Sequence, residues 1–295
     1  MTMRVSAEAL RVTQEKAAVL VQAFPYIRQY AGKRVVVKVG GEIALDPRQM
    51  GSFVGDLALL RMVGVEVVLC HGGGPQISRM MRLLGREAVF KDGLRVTDEE
   101  TMEVTAMVLL GDVNRRFVAL LNTHGPLGIG VSGLDGQLFQ VVPQAPELGY
   151  VGKISHVTSD PIERILADDY IPVVASLGMD AAGAVYNINA DTAAGELAVA
   201  LGAEKLVVLT NVAGLYETFG NEDSLLSEID VTVLQRLVIS GALSEGMIPK
   251  VEAILAALQG GVPRACVIDG RVDHAVLLEI FTPEGFGTMI TGKSL

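Results

Sequence analysis

Between residues 34 and 75 one pattern occurs twice: a continuous apolar run, a cluster of glycines, and then apolar positions at helical spacing. The first copy is Arg34-Val-Val-Val-Lys-Val39, then Gly40-Gly41, then a helical pattern over about 49–63. The second is Val65-Glu-Val-Val-Leu-Cys70, then Gly72-Gly-Gly74 and a further helical stretch. Strands that are apolar on both faces and alternate with helices build parallel βαβ units, with helices over both sides of the sheet. All-helical and all-antiparallel folds are excluded on this ground. Both glycine clusters follow strands, so both lie at the carboxyl edge of the sheet, where open α/β folds hold ligands.

The rest of the chain fits the same class. Strand-like runs recur at Ile171-Pro-Val-Val-Ala175, Val185-Tyr-Asn-Ile188, Lys205-Leu-Val-Val-Leu-Thr210 and Arg264-Ala-Cys-Val-Ile-Asp269, with helical patterns near 190–201, 230–240, 247–259 and 271–280. Residues 98–123 predict one long helix opened by Thr97 or Asp98. Asp135-Gly136, between two short β runs in 127–142, predicts a hairpin. Residues 5–30 place Leu10, Ala17, Leu20, Val21, Phe24 and Ile27 on one helical stripe, which must cover either its own domain or another subunit. The class is α/β, a mostly parallel sheet between helices. With no linker in the chain, any two lobes share that sheet, and the division falls near residue 185.

Composition narrows the function. There are 24 Lys and Arg against 34 Asp and Glu, a net charge of -10, which disfavours general nucleic-acid binding because phosphate neutralisation needs a basic surface. The two cysteines, Cys70 and Cys266, each end or sit within a β-like run, and they read as buried thiols of a reducing compartment. His71, His124, His156 and His274 lack metal-ligand spacing. No apolar run approaches the ~20 residues of a membrane span, and charged residues interrupt the N-terminus, so the reading is cytoplasmic, with no membrane partner. Glycine is in excess, 33 residues where a background of about 7% gives about 21.

Two familiar glycine motifs do not account for that excess. Gly287-Thr-Met-Ile-Thr-Gly-Lys-Ser294 satisfies the Walker A pattern, but only Leu295 follows where a helix has to start. Gly128-Ile-Gly-Val-Ser-Gly133 satisfies GxGxxG but leads to Asp135-Gly136 rather than to a helix. His71-Gly-Gly-Gly resembles an oxyanion loop, yet the chain has no GxSxG nucleophile.

A different constellation carries chemistry. Lys38 stands in an apolar strand, which is costly unless the ammonium reaches a cleft or an opposite charge. The loops at Gly40-Gly41 and His71-Gly-Gly-Gly-Pro75 would direct N–H groups to one point, a setting for an anion. Asn187-Ile-Asn-Ala-Asp191 and Gly246-Met-Ile-Pro-Lys250 add an acid and a second cation. Taken singly, Asp191 reads equally well as a helix cap and Lys250 as a solvated residue; core-packing glycines with Lys38 at an edge is a lesser alternative. Together they suit phosphoryl transfer, whose transition state is stabilised by positioned positive charge and N–H donors.

These blocks resemble the amino acid kinase superfamily, and within it the acetylglutamate kinases. Lys38-Val-Gly-Gly41, His71-Gly-Gly-Gly-Pro-Gln-Ile77, Asp92-Gly-Leu-Arg-Val-Thr97, Tyr186-Asn-Ile-Asn-Ala-Asp-Thr-Ala-Ala-Gly195 and Gly246-Met-Ile-Pro-Lys250 match in order, and the resemblance covers about residues 20–292. It implies a three-layer αβα sandwich around a mostly parallel sheet of about eight strands, with an extra N-terminal helix. It implies ATP-dependent phosphorylation of the γ-carboxylate of N-acetyl-L-glutamate in arginine biosynthesis. By that resemblance Lys38 and Lys250 stabilise the transferring phosphoryl group and Asp191 orients them. Gly40, Gly41 and Asn211 fall on the phosphate and ATP side, and Gly73, Gly74, Arg95 and Asn187 on the substrate side. Mg2+ is held mainly by the nucleotide, with no metal ligands from the protein.

The resemblance further implies an N-terminal helix at 1–30 for assembly and regulation, an N-lobe at 31–185 for acetylglutamate and dimerisation, and a C-lobe at 186–295 for ATP. Phe24-Pro-Tyr-Ile27 and Glu279-Ile-Phe-Thr-Pro-Glu-Gly285 resemble segments of the arginine-inhibited type, so Tyr26, Glu279 and Gly285 are candidates for an L-arginine site in a hexamer built as a trimer of dimers. A PII-type regulator is a further partner that the resemblance admits. Three residues depart from the pattern: Asn211 replaces the usual Asp, Glu42 follows the first glycine pair, and Leu134 stands where lysine is common. Rival readings are a kinase of the same fold for another acidic metabolite, such as an aminoadipate derivative, aspartate or carbamate, and a catalytically silent arginine sensor.

Overall fold

The computed structural model describes residues 7–218, 221–241, 243–244, 246–282 and 285–292. The two copies of the opening pattern become strand β1 (Arg34–Val39) with helix α2 (Pro47–Met62), and strand β2 (Glu66–His71) with helix α3 (Gly74–Leu83), after an N-terminal helix α1 (Ala7–Tyr30). Asp46 caps α2 by accepting from the N–H groups of Arg48 and Gln49, and Pro47 and Pro75 occupy first turns, where the missing N–H costs nothing. β1 and β2 lie side by side in parallel within an eight-stranded sheet. On one side of them stand Lys205–Thr210 and Arg264–Asp269, and on the other Ile171–Ala175 and Gly128–Ser132, all six strands parallel. Thr288–Thr291 and Glu228–Asp230 complete one edge; the first runs antiparallel to Arg264–Asp269.

Successive strand residues face opposite layers. Val35, Val37 and Val39 join Leu57 and Leu60 of α2 and Phe117, whereas Val36 joins Leu197 and Ile254 on the other face. Those last two belong to α7 (Ala190–Ala200) and α9 (Ile248–Gln259), with α4 (Glu99–Val108), α5 (Arg115–Leu121), α6 (Asp160–Ala167), α8 (Val231–Ser240) and α10 (Ala275–Phe281) completing the layers. α7 and α9 meet closely. A side chain on Gly195 would bring its Cβ to 2.9 Å from the Ala253 carbonyl oxygen.

Two local expectations are corrected. The β runs around Asp135-Gly136 do not pair as a hairpin: Gly128–Ser132 lies at the edge of the large sheet, and Phe139–Pro143 belongs to a separate four-stranded sheet with Gly152–Val157, Leu177–Met179 and Val185–Asn187. The cause is local, because the Asp135 carboxylate accepts from the Ser132 N–H (2.6 Å) and hydroxyl (2.9 Å), and positive φ at both Gly136 and Gln137 turns the chain into the second sheet. The long helix over 98–123 is continuous but not regular: α4, capped by Asp98, passes through a π-helical turn at Leu109–Asn114 into α5. The glycines of the GxGxxG string serve packing. A Cβ on Gly128 would strike Leu121, and one on Gly130 would strike the side-chain oxygen of Asn114.

The Walker-like string supplies the strand Thr288–Thr291, and its Lys293 and Ser294 lie outside the described residues. Cys70 and Cys266 are buried free thiols. Among the described residues, no helix is long and apolar enough to cross a membrane. Gly195→Val should destabilise the protein by about 1–3 kcal/mol, the usual cost of overpacking, read as a lower urea midpoint at unchanged slope.

Candidate active site

Lys38 shares the sheet face of Val36, so at the carboxyl end of β1 its side chain runs toward the layer that holds α7 and α9. Asp191 waits there in the first turn of α7. Its carboxylate is not spent on capping, because Asn189 fills that role by accepting from the N–H groups of Asp191 (2.8 Å) and Thr192 (3.2 Å). Lys38 Nζ lies 2.8 Å from Asp191 Oδ1, and Lys250 Nζ, from the first turn of α9, lies 3.0 Å from Asp191 Oδ2. Lys38 and Asp191 are each 5% exposed.

Burial alone would raise the Asp191 pKa, but the two ammonium groups outweigh it and hold the carboxyl below its usual range. Burial, reinforced by the neighbouring Lys38 charge, lowers Lys250 despite the attraction of Asp191. Two cations on one anion leave an excess positive charge at the cleft, the electrostatic requirement for receiving a polyanion.

A cavity of about 240 Å³ opens beside Asp191, lined by both glycine clusters together with Lys38, Arg95 and Asn187. Gln76 of α3 ties the clusters together by donating to the Gly41 carbonyl at 2.6 Å. The glycines divide by environment. A Cβ on Gly41 would come within 3.0 Å of Gly73 Cα, and one on Gly73 within 2.8 Å of Leu109 Cδ2, so both sites are closed by protein. A Cβ on Gly40 or Gly74 would meet no protein atom, so these two border open space that a ligand can approach.

Arg95 is held rigidly. Its guanidinium donates to the Gly74 carbonyl (3.0 Å) and the Ser78 hydroxyl (2.8 Å) and lies 4.7 Å from the centre of the Phe90 ring. Burial lowers its pKa, within a range where arginine stays charged. Asn187 donates to Thr97 Oγ1 at 3.4 Å, which joins the Arg95 loop to the strand before α7. Val151, which bridges Asn187 just before the strand Gly152–Val157, and Ser176, in the loop after Ala175, also line the cavity; neither carries a sequence signal that separates it from ordinary loop and strand residues.

Other predicted residues stand elsewhere. Asn211, just past the end of Lys205–Thr210, is exposed and does not line this cavity, and Glu42 likewise faces outward. Tyr26, Glu279 and Gly285 meet one another in a second cavity of about 720 Å³ beside α1. There the buried Glu279 carboxylate pairs with Lys205 Nζ at 2.5 Å and accepts from the Phe286 N–H at 2.7 Å. Lys205 was missed, although a lysine opening an apolar strand is the same signal that marked Lys38.

A family model described as the amino acid kinase family matches residues 33–269. The chain belongs to the amino acid kinase family. Within it, an acetylglutamate kinase from Acidothermus cellulolyticus is 51% identical over 292 residues, covering 95% of this chain and 98% of that protein, which places the chain among the acetylglutamate kinases. Among solved structures, an N-acetylglutamate synthase from Neisseria gonorrhoeae, complexed with coenzyme A and N-acetyl-glutamate, aligns at a TM-score of 0.83 and 28% identity, covering 95% of this chain. The same synthase complexed with coenzyme A and L-arginine aligns at 0.78 and 27%, covering 94% of this chain. This amino acid kinase spans 64% of the synthase's length in the first alignment.

For this kinase, Asp191→Asn should cost about 3–5 kcal/mol at neutral pH, because it leaves the buried Lys38 ammonium and the half-buried Lys250 ammonium without their counter-charge. A depressed carboxyl contributes stability above the ordinary value of 3.8 and loses it as pH falls through the lowered value, so the gap between wild type and variant should close only in strong acid. Urea unfolding across pH measures this.

Proposed function

We propose that the protein transfers the γ-phosphoryl group of ATP to the γ-carboxylate of N-acetyl-L-glutamate, giving N-acetyl-L-glutamyl 5-phosphate for arginine biosynthesis. The observation that carries this reading is Asp191 holding Lys38 and Lys250 together beside two glycine clusters. The name of the 51% identical relative supports the substrate. A carboxylate with an ordinary pKa of ~4.3 is already ionised at neutral pH, so the acceptor needs no general base. The barrier is repulsion between two anions. Lys38 and Lys250 offset it from two sides, and the Gly41 and Gly73 N–H groups donate to phosphoryl and γ-carboxylate oxygens.

Arg95 grips the α-carboxylate with its planar fork, and Asn187 completes that pocket. Gly40 and Gly74 leave room for the approach, and Asn211 contacts the nucleotide. In this reading residues 31–185 bind acetylglutamate and form the dimer, and residues 186–295 bind ATP. Both Asp191 oxygens face lysines. In this reading Mg2+ travels with the nucleotide, whose phosphate charge it offsets.

The second cavity, with Tyr26, Glu279 and Gly285, is the proposed site for inhibition by L-arginine, a reading supported by the arginine complex of the related synthase. Helix α1 leaves Leu20, Val21 and Phe24 more than three-fifths exposed, the stripe expected to interlace dimers into a hexamer. A cytoplasmic location fits this biosynthetic role.

Purified protein with ATP, Mg2+ and N-acetylglutamate should yield an acyl phosphate that hydroxylamine traps; a signal with aspartate but none with N-acetylglutamate overturns the substrate. Lys250→Ala should lower kcat by about 100- to 1000-fold, the scale of losing one transition-state contact, while KM changes little. Deleting residues 1–28 should reduce the particle to dimers by light scattering and weaken arginine inhibition.

A further inference from the structure

Among the described residues, His71, the last residue of β2, is a fully buried polar group with no role in the chemistry above, placed just before Gly72-Gly-Gly74. Its ring shares the face of Val67 and Leu69 and packs 5.7 Å from the Phe117 ring. The ring Nε2 lies 3.0 Å from the Asn114 side-chain nitrogen, and Nδ1 lies 3.1 Å from the Gly72 carbonyl oxygen. Asn114 is the final residue of the π-helical turn.

The tautomer of His71 follows from its neighbours. Asn114 Nδ2 also donates to the carbonyls of Val173 (2.8 Å) and Val131 (3.3 Å), so the amide must present its nitrogen, not its oxygen, on this side. An amide nitrogen accepts nothing, and therefore His71 Nε2 must accept and carry no proton. The single ring proton then sits on Nδ1, facing the Gly72 carbonyl. Burial agrees, since it pushes the imidazole down to about 4 and keeps it neutral at physiological pH.

The Gly72 carbonyl shares a peptide plane with the Gly73 N–H. In a trans peptide these two groups point in opposite directions, so a carbonyl held toward the His71 ring turns the Gly73 N–H away from it, and Gly73 itself lines the cavity. No described group accepts from that N–H. The π-helical turn presses on the same residue from behind: a Cβ on Gly73 would lie 2.8 Å from Leu109 and 3.1 Å from Val113. One irregular helical turn thus both braces Gly73 and supplies Asn114.

We propose that Asn114, His71 and the Gly72 carbonyl form a positioning relay that aims the Gly73 N–H at the reacting anion. The relay rests on the phosphoryl-transfer reading for its purpose, but its geometry is independent of the substrate. His71 and Asn114 are positioning residues, because neither touches the cleft.

Nitrogen-15 NMR of the full-length protein at neutral pH should show His71, assigned by loss of its signal in His71→Asn, as the neutral Nδ1–H tautomer. An Nε2–H tautomer or a charged ring overturns the relay. His71→Asn keeps an amide donor near the Nδ1 position, whereas His71→Leu removes it. His71→Leu should lower kcat by about 10- to 100-fold, somewhat less than the about 100- to 1000-fold loss from deleting such a donor outright. The KM for ATP should stay near wild type, and His71→Asn should recover most of the rate. Equal losses in the two variants, or an unchanged kcat in a folded His71→Leu protein, overturn the relay. If His71→Leu does not fold, the tautomer and the rate of His71→Asn decide the matter. If wild-type protein makes no acyl phosphate from N-acetylglutamate, the substrate reading fails, and the tautomer, together with a Gly73 amide resonance that moves further in His71→Leu than in His71→Asn, still decides the relay; equal shifts overturn it.

Discussion

The carboxylate of Asp191 is the point on which the site depends. It is buried under α7, and it brings together a lysine from β1 and a lysine from α9 that come from opposite ends of the chain. Two like charges would not otherwise share so small and dry a space. The aspartate makes that arrangement stable, and what remains is an excess positive charge beside the glycine-lined cavity, where the proposed reading brings the phosphate. The close contact of α7 and α9 at Gly195 and Ala253 serves the same end, since it sets the spacing between the elements that carry Asp191 and Lys250.

Each half of this arrangement was legible to a different degree. The βαβ pattern and Lys38 within an apolar strand were enough to place a candidate site at the carboxyl edge of a parallel sheet, where the structure has a cavity. Asp191 and Lys250 were legible only as a set, because each alone has an ordinary role at a helix start. The structure resolves the aspartate through Asn189, which caps α7 and leaves the Asp191 carboxylate for the lysines. Lys205 carried the same signal as Lys38, but it starts its strand whereas Lys38 lies near the end of its own, so Lys205 sits at the opposite edge of the sheet in the second cavity.

What the sequence misread is also physical. Asp-Gly marks a place where the chain can adopt positive φ, and such a place serves a sheet-to-sheet crossing as well as a hairpin. Helical periodicity over 98–123 is insensitive to one wide turn, so the π segment was invisible although it presses on Gly73. The GxGxxG string shows the reverse case: a pattern associated with phosphate binding here marks a strand that α5 and the preceding turn approach closely.

The two cysteines have a use that follows from their surroundings. Burial pushes the Cys70 thiol up to about 12 despite the nearby Lys38 charge, and Cys266 is likewise held well above the ordinary value. Both therefore stay protonated and shielded while the sheet is closed, and alkylating reagents act on the thiolate. One thiol sits on β2 and the other on Arg264–Asp269, on either side of the central pair β1 and Lys205–Thr210. The protein thus carries two natural clocks, each counting how often its own flank of the sheet opens to solvent.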